Sequence, residues 1–119
     1  MSGTINPPDF DTMMELADKI RDLTLSELVL KNQIKKQEAQ VVIEVTTNPA
    51  YFKDGKVLAT NYIEATYKVT GLNGELSDLR DKLVEVSSEL DYYKRKFDIL
   101  KDMLNAWQTE SANRRASTV

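Results

Sequence analysis

Apolar residues in the second half of the chain recur at alternating steps of three and four positions. The members of this series are Leu72, Leu76, Leu79, Leu83, Val86, Leu90, Tyr93, Phe97, Leu100, Leu104, Trp107 and Ser111. Such heptad spacing is typical of a helix that packs along its whole length against another long helix. It predicts an α-helix over residues 73–111, about 60 Å long, with Asn73 as the N-cap and Glu75 in the first turn.

The first half of the chain has the same spacing, which predicts a second long helix over residues 12–45. The members of this series are Met13, Leu16, Ile20, Leu23, Glu27, Leu30 and Ile34. Glu27 is the one polar member. Leu25, Leu28 and Val29 widen the apolar stripe beyond a narrow seam, which favours contact with more than one neighbour.

Both ends of the chain are predicted to be irregular. Residues 1–11 contain two prolines and a glycine, so we expect a flexible arm in which Asp9 or Asp11 caps the first helix. After the heptad series the side chains become small and polar, and residues 112–119 are expected to form a flexible tail.

Residues 46–71 are predicted to connect the two long helices. The β-branched residues between Val41 and Thr47 favour extended backbone, and Asn48-Pro49 ends the first helix because a residue before proline avoids helical geometry. The segment Lys53-Asp54-Gly55-Lys56 predicts a tight primed turn in which both central residues take positive φ, and with it a small β-hairpin. A structured loop is the alternative.

A short helix is predicted within this connector over residues 62–69. Asn61 with Glu64 three positions later has the spacing of a capping box, and Gly71 is placed to end the helix. The aromatic residues of the connector are expected to pack as a cap on the paired helices, with a ligand platform as the alternative. These residues are Tyr51, Phe52, Tyr62 and Tyr67.

Together these elements predict a mainly all-α fold of one domain over residues 12–111, in which two long helices form a coiled-coil hairpin. Two long helices without a third layer leave apolar surface uncovered, so we expect a homo-oligomer. The predicted oligomer interface is the heptad series from Leu76 onward: Leu76, Leu79, Leu83, Val86, Leu90, Tyr93, Phe97, Leu100, Leu104 and Trp107. Trp107, the only tryptophan, is expected to anchor a contact between subunits.

Composition narrows the functional classes. The chain has no cysteine and no histidine, so it lacks the residues for thiolate chemistry, an ordinary zinc site or an imidazole base. Its acidic residues alternate with basic ones along the helix faces, as on solvated surfaces. We therefore expect no enzymatic activity, no catalytic or metal-binding residues, no cofactor and no small-molecule substrate. No apolar run is longer than Val41 to Ile43, which is too short for a membrane span, and no leader pattern is present, which favours a cytoplasmic protein.

Basic residues are the candidates for a binding surface, although the formal net charge is −3. They are Lys31, Lys35 and Lys36 in the first helix, Lys53 and Lys56 in the connector, and Lys94, Arg95 and Lys96 in the second helix. Tyr92, Tyr93 and Phe97 lie near the last group, and stacking of bases on aromatic rings complements cations on phosphates. Tyr93 and Phe97 belong to the heptad series, so Tyr92 is the aromatic residue left free.

Two segments resemble phage recombination mediators of the UvsY type. Residues Leu90-Asp91-Tyr92-Tyr93 followed by 97–104 resemble the late helix of that family, in which a paired aromatic precedes an amphipathic leucine-rich run. Glu38-Ala39-Gln40 followed by residues 51–55 is similar to the family's helix ending at an aromatic corner. Family members carry lysines and arginines just before that corner, whereas residues 41–49 of this chain include no basic residue.

The resemblance implies a homo-oligomeric ring that binds single-stranded DNA and helps to load a RecA-like recombinase. The order helix, hairpin, helix is also that of a prefoldin subunit, which holds unfolded chains between coiled-coil arms. A third interpretation is a coiled-coil assembly or adaptor protein, for example a phage factor that acts on a host protein. A mediator requires clustered basic residues, whereas a holdase requires exposed apolar helix tips.

Overall fold

The computed structural model describes residues 7–117, which are almost entirely helical. The elements are α1 (Phe10–Thr47), a short 3₁₀ helix (Pro49–Tyr51), α2 (Thr60–Thr70) and α3 (Glu75–Ser117). No strand occurs within residues 7–117; an isolated bridge joins Lys53 and Lys56. The predicted all-α class is confirmed, and both long helices lie where the heptad spacing places them.

The described residues form two compact units, and both long helices contribute to each. The junction unit comprises residues 25–87, and the two-helix unit comprises residues 7–24 and 88–117. In the junction unit α1 and α3 run antiparallel, because Gln37 Nε2 lies 3.5 Å from Glu75 Oε1 and Ser87 Oγ lies 2.7 Å from Glu27 Oε2. In the two-helix unit the ammonium group of Lys19 on α1 lies over the ring of Tyr93 on α3.

The core of the junction unit joins three helices. Its buried members are Ile34, Val41 and Val45 from α1, Ile63 from α2 and Leu76 from α3. Partly buried residues that pack on this core include Tyr51, Leu58, Tyr67, Leu72, Leu79 and Leu83. Burying each large aliphatic side chain contributes about 1.5–3 kcal/mol, so this cluster is the main source of stability in the unit.

α1 continues to Thr47, two residues past its predicted end at Val45, although the β-branched residues from Val41 onward favour extended backbone. Val41 and Val45 are 1% and 0% exposed, and their burial outweighs the low helix propensity of β-branched residues. The hydroxyl of Thr46 donates to the carbonyl of Val42 at 2.6 Å, which is a common way to accommodate threonine in a helix. The helix ends before Asn48-Pro49, as predicted.

The heptad prediction holds along both helices. Every series position from Leu72 to Ser111 is buried or half-buried, and so is every position from Met13 to Ile34. Glu27, the polar exception, is half-buried and accepts hydrogen bonds from Ser87 Oγ and from Lys31 Nζ. Its carboxylate is therefore paired rather than left unsatisfied inside the seam.

Several members of the predicted oligomer interface are already covered within a single chain. Leu76 and Leu90 are 0% and 2% exposed, and Leu79 and Leu83 pack against the core of the junction unit. Side chains buried within the chain leave no surface for a second copy in this arrangement. The remaining members are half-buried: Val86, Tyr93, Phe97, Leu100, Leu104 and Trp107.

The tight turn predicted in the connector is present, but the small β-hairpin predicted around it is wrong, because no strand lies on either side of the turn. Asp54 and Gly55 have φ of 51° and 73°, the positive values that a primed turn requires. Lys53 N donates to Lys56 O at 2.9 Å, and Lys56 N donates to Lys53 O at 3.0 Å. Since the pairing stops at this bridge, the segment is a turn and not a β-hairpin.

The helix predicted after the turn is present, but its predicted N-cap is wrong. α2 begins at Thr60 with Ala59 as the N-cap, which makes no side-chain capping bond, so Asn61 lies inside the first turn. The extended backbone of Ala59 places its carbonyl to accept from Ile63 N at 3.1 Å. Gly71, with φ of 81°, follows the last residue of α2, as predicted.

The predicted N-cap of α3 is also wrong, because the helix begins at Glu75 and not after Asn73. The carboxylate of Glu75 folds back over the preceding loop and accepts from Asn73 N at 2.7 Å and from Leu72 N at 2.9 Å. Hydrogen bonds from its own amide and from these backbone groups lower the pKa of Glu75, although burial opposes them.

The outer ends of α1 and α3 extend beyond their predicted limits. Asp9 caps α1: its carboxylate accepts from Asp11 N at 3.0 Å and from the Thr12 hydroxyl at 2.8 Å, which lowers the pKa of Asp9. At the other end α3 is helical to Ser117, past the predicted end at Ser111. An ion pair between Arg114 and Glu110 one turn earlier favours this last segment. Residues 1–6 of the predicted arm and residues 118–119 of the predicted tail lie outside the described residues.

One cation links all three helices of the junction unit. Arg80 Nη2 on α3 donates to the carbonyl of Lys68, near the end of α2, at 2.6 Å and to Glu38 Oε1 on α1 at 3.2 Å. Lys68 Nζ lies 3.8 Å from the other oxygen of Glu38. The arrangement satisfies one of the free carbonyls at the C-terminus of α2.

We expect Gly71→Ala to destabilise the protein more than Gly74→Ala. Both glycines have positive φ, so alanine is strained at either position, and Gly71 with ψ of −176° lies in a region that is essentially restricted to glycine. A Cβ at Gly71 would also lie 2.5 Å from Glu75 Oε1, whereas one at Gly74 meets no atom within 4 Å. Displacing that carboxylate breaks its hydrogen bonds from Leu72 N and Asn73 N and costs about 1 kcal/mol more. Urea unfolding of both variants measures the difference, and equal losses would contradict this explanation.

We expect the stabilising effect of the Glu75 carboxylate to depend on pH. Because its pKa is lower in the folded protein, its contribution is complete above the unfolded-state pKa of about 4.3 and is lost as the pH falls through the folded-state value. The difference in urea midpoint between the wild type and Glu75→Gln should be constant from pH 6 to 8 and shrink in acid. A difference that did not change in acid would show that the charge contributes nothing.

Candidate nucleic-acid interface

The basic run Lys94-Arg95-Lys96 does not form one charged face. All three residues are exposed on α3, but successive residues of a helix point about 100° apart. Lys94 borders a shallow groove with Ala17, Ile20, Phe97 and Asp98. Lys96 borders a different groove of about 280 Å³, lined by Thr12, Glu15, Leu16, Lys19 and Tyr93. The sequence run is therefore divided between separate surfaces.

Lys96 belongs to a group of two cations and two aromatic rings in the two-helix unit, here named the tyrosine–lysine cluster: Lys19, Tyr92, Tyr93 and Lys96. Lys96 Nζ lies 5.7 Å from the centre of the Tyr92 ring, and Lys19 Nζ lies 5.6 Å from the centre of the Tyr93 ring. The two rings meet edge to face, with centres 5.2 Å apart. The group thus runs from cation to ring to ring to cation.

The exposure of the two tyrosines gives them different roles. Tyr93 is half-buried in the seam, whereas Tyr92 is 58% exposed, as their positions in the heptad series predict. Each cation–ring contact at an exposed site contributes about 0.5–1 kcal/mol, which favours holding the ammonium groups beside the rings. Tyr92 therefore presents a ring to solvent with a positive charge beside it, an arrangement that can stack a base and neutralise a phosphate.

Lys19 is the member of the cluster that sequence reasoning missed. It comes one position before the seam residue Ile20, and Lys96 comes one position before the seam residue Phe97. In an antiparallel helix pair, the residues that directly precede two such seam residues lie on the same side of the seam. Comparing the flanking positions of both series would have paired the two lysines, but only after the helices had been assigned to each other within one chain.

The other predicted basic residues lie in the junction unit. Lys31 forms an ion pair with Glu27 at 3.3 Å, and Lys35 and Lys36 are exposed further along α1. Lys53 and Lys56 form the two ends of the tight turn. Since these five residues all lie in the junction unit, they do not belong to the same compact unit as Lys94, Arg95 and Lys96.

A larger depression, of about 570 Å³, lies beside the tight turn and is lined in part by Lys53, Lys56, Val57 and Tyr62. Its size exceeds that of the groove beside Lys96. However, no cation–ring contact is present there among the described residues, so the charges and the ring are not held together. We therefore take the tyrosine–lysine cluster as the stronger candidate interface.

Two of the four connector aromatics, Tyr51 and Tyr67, pack on the junction core as predicted for a cap. The rings of Tyr51 and Tyr67 meet edge to face at 5.8 Å, and both residues pack on the junction core. Tyr62 contacts Tyr67 at 6.4 Å and is 52% exposed, and Phe52 is half-buried. Tyr51 and Tyr67 therefore serve the fold, and only Tyr62 presents much of its ring to solvent.

Within residues 7–117 no group of three or more acidic side chains is arranged to hold a metal ion. In the same part of the chain no helix has a stretch long and apolar enough to cross a bilayer. Comparison with protein-family models, with characterised proteins and with solved structures finds no match for this chain.

Proposed function

We propose that this protein is a non-enzymatic, homo-oligomeric helical protein that binds single-stranded DNA. The observation that carries the proposal is the tyrosine–lysine cluster, in which the exposed ring of Tyr92 lies beside Lys96 and next to Tyr93 and Lys19. The resemblance to phage recombination mediators supports a more specific role. In that role the protein acts in the cytoplasm as an accessory factor of recombination or replication, together with a RecA-like recombinase.

A single strand suits this site better than a duplex. Bases of a single strand expose their faces and can stack on an aromatic ring, whereas those of a duplex are stacked on each other. Lys96 is placed beside the ring on which the base would stack, so that its ammonium group can contact an adjacent phosphate. Stacking and charge then act on neighbouring parts of one nucleotide, with little dependence on sequence.

Self-association compensates for the weakness of one site. Each chain contributes two lysines to the cluster and carries a net charge of −3, so a monomer would bind DNA weakly. Several clusters on one oligomer contact the same strand, and each contact after the first is intramolecular. Affinity for long oligonucleotides should therefore depend on the oligomer.

A protein-binding module is the second candidate function, and a different observation favours it. Leu25, Leu28 and Val29 on α1 are each about half exposed. A prefoldin-like holdase, an assembly protein or an adaptor that acts on a host protein would use such residues to hold a polypeptide. Absence of oligonucleotide binding at low salt, together with capture of unfolded chains, would favour this function.

We expect Tyr92→Ala to weaken binding of a fluorescent single-stranded oligonucleotide by about tenfold, because one stacked base contributes about 1–3 kcal/mol. Tyr62→Ala is the matched control, since Tyr62 is also an exposed tyrosine on a helix but lies outside the cluster. Fluorescence anisotropy measures both, with thermal unfolding as the check on folding. Loss of binding in Tyr62→Ala but not in Tyr92→Ala would move the interface to the tight turn.

We also expect Lys96→Gln to weaken binding more than Arg95→Gln. The two substitutions remove one positive charge each from adjacent exposed positions of α3, so general electrostatics changes equally. A lost phosphate contact lowers the slope of log affinity against log salt by about 0.7 for a single strand. The slope should fall for Lys96→Gln alone; equal slopes in the two variants would exclude Lys96 as a specific contact.

A further inference from the structure

The outward face of α1 in the junction unit is unusual for a paired helix. Leu25, Leu28 and Val29 are 55%, 54% and 55% exposed and lie on the side of α1 away from the buried Leu30 and Ile34. Such positions are normally polar in a two-helix arrangement. About two turns further along α1, Lys35 and Lys36 are also exposed. We name this surface the apolar–basic face: Leu25, Leu28, Val29, Lys35 and Lys36.

The exposed residues of α3 in the same unit include a group of the opposite charge. Asp78, Asp81 and Glu85 are exposed and, together with Glu75, Leu79 and Gln37 of α1, line a depression of about 470 Å³. Lys82 is the only basic residue in its lining. Val84, 64% exposed, lies beside these acids. We name this surface the acidic face: Asp78, Asp81, Val84 and Glu85.

We infer that the apolar–basic face of one chain binds the acidic face of a second copy of the same chain. This inference rests on the self-association in the proposed function and identifies the surfaces that produce it. Each chain carries both faces, so every copy offers one to each of two neighbours. A head-to-tail interface of this kind builds a closed ring when the rotation between copies closes, and a filament when it does not.

Spacing along the two helices supports this choice of partner. Leu28 is seven residues before Lys35, about 10 Å along α1, and Val84 is six residues after Asp78, about 9 Å along α3. An antiparallel docking with Leu28 on Val84 therefore places Lys35 and Lys36 near Asp78, with Asp81 within one turn. The apolar residues meet each other and the charges pair, which sets both register and direction.

The inference gives Lys35 and Lys36 a role different from DNA binding. Lys35 and Lys36 of one copy would repel the same two lysines of another copy. Direct contact between two apolar–basic faces is therefore unfavourable. The acidic face is the complementary surface that the junction unit itself provides. The tyrosine–lysine cluster lies outside both faces, so protein contact and DNA contact use different residues.

Charge reversal tests this interface, with the mass of the full chain measured by light scattering and analytical ultracentrifugation. Lys35→Glu with Lys36→Glu, and separately Asp78→Lys with Asp81→Lys, should each reduce the wild-type oligomer to monomer. Mixing the two variants should restore association. The unchanged acidic face of the Lys35/Lys36 variant then meets the unchanged basic face of the Asp78/Asp81 variant, and the two substituted faces also carry opposite charges. One chain that carries all four substitutions should again form a homo-oligomer.

An apolar substitution gives a second, independent test. Leu28→Glu should dissociate the oligomer, whereas Ile43→Glu should leave its mass unchanged, since Ile43 is an equally exposed residue of α1 outside the apolar–basic face. Both side chains are exposed, so neither substitution disturbs the core, and thermal unfolding checks this. Asp78 lies in the first turn of α3, and the Leu28 variant keeps the inference testable if Asp78→Lys prevents folding.

The outcomes separate the interface from the proposed function. An oligomer that persisted in the Lys35/Lys36 and Leu28 variants would overturn this interface but leave self-association intact. An oligomer that dissociated in the Lys35/Lys36 variant but not in the Asp78/Asp81 variant would show that α1 does not bind the acidic face. A wild-type chain that stayed monomeric at high concentration would overturn both the interface and the oligomeric part of the proposed function. Oligonucleotide binding by the same variants is a separate measurement.

Discussion

The packing of α1, α2 and α3 around Val41, Val45 and Leu76 is the constraint on which the rest of the structure depends. These side chains are almost completely buried, and the short helix α2 contributes Ile63 to the same core. Because they hold the two long helices antiparallel in the junction unit, the α3 seam faces α1 of its own chain. A partner can therefore contact only those side chains that the pairing of α1 with α3 leaves exposed. The location of a functional site therefore follows from the intrachain core and not from the heptad series itself.

This division explains why the proposed DNA and protein contacts use residues outside the seam. Tyr93 and Phe97 are partly covered, so the neighbouring Tyr92 presents its ring to solvent. Leu28 and Val29 likewise lie on the side of α1 away from Leu30, which is buried. A coiled coil that satisfies its seam internally has only its outer positions for recognition. Apolar or aromatic residues at those positions then stand out against the polar residues that usually occupy them.

Periodicity predicted the long helices well, because burial acts on every third or fourth residue over many turns. Predictions that depend on one local interaction were less successful. Asn73 is a residue type that often caps helices, but here its backbone amide donates to the carboxylate of Glu75. That carboxylate is also contacted by Gln37 from α1. Val41 to Thr47 has strand-like propensity, yet packing against α2 and α3 keeps it helical. Lys19 joined the candidate site only through a contact between the helices, which no single segment of sequence encodes.

The contact of Arg80 with both Lys68 and Glu38 has a consequence for local motion. Arg80 on α3 donates to a carbonyl near the end of α2, and Lys68 of α2 pairs with Glu38 on α1, so α2 cannot separate without breaking bonds to both long helices. Segments that are bonded to each other in this way usually unfold together as one cooperative unit. Amide hydrogens of α2 should therefore exchange with solvent at the same rate as those of the neighbouring turns of α1 and α3, although a short helix at a chain reversal would ordinarily exchange faster. The short helix is thus bonded to both long helices of the junction unit.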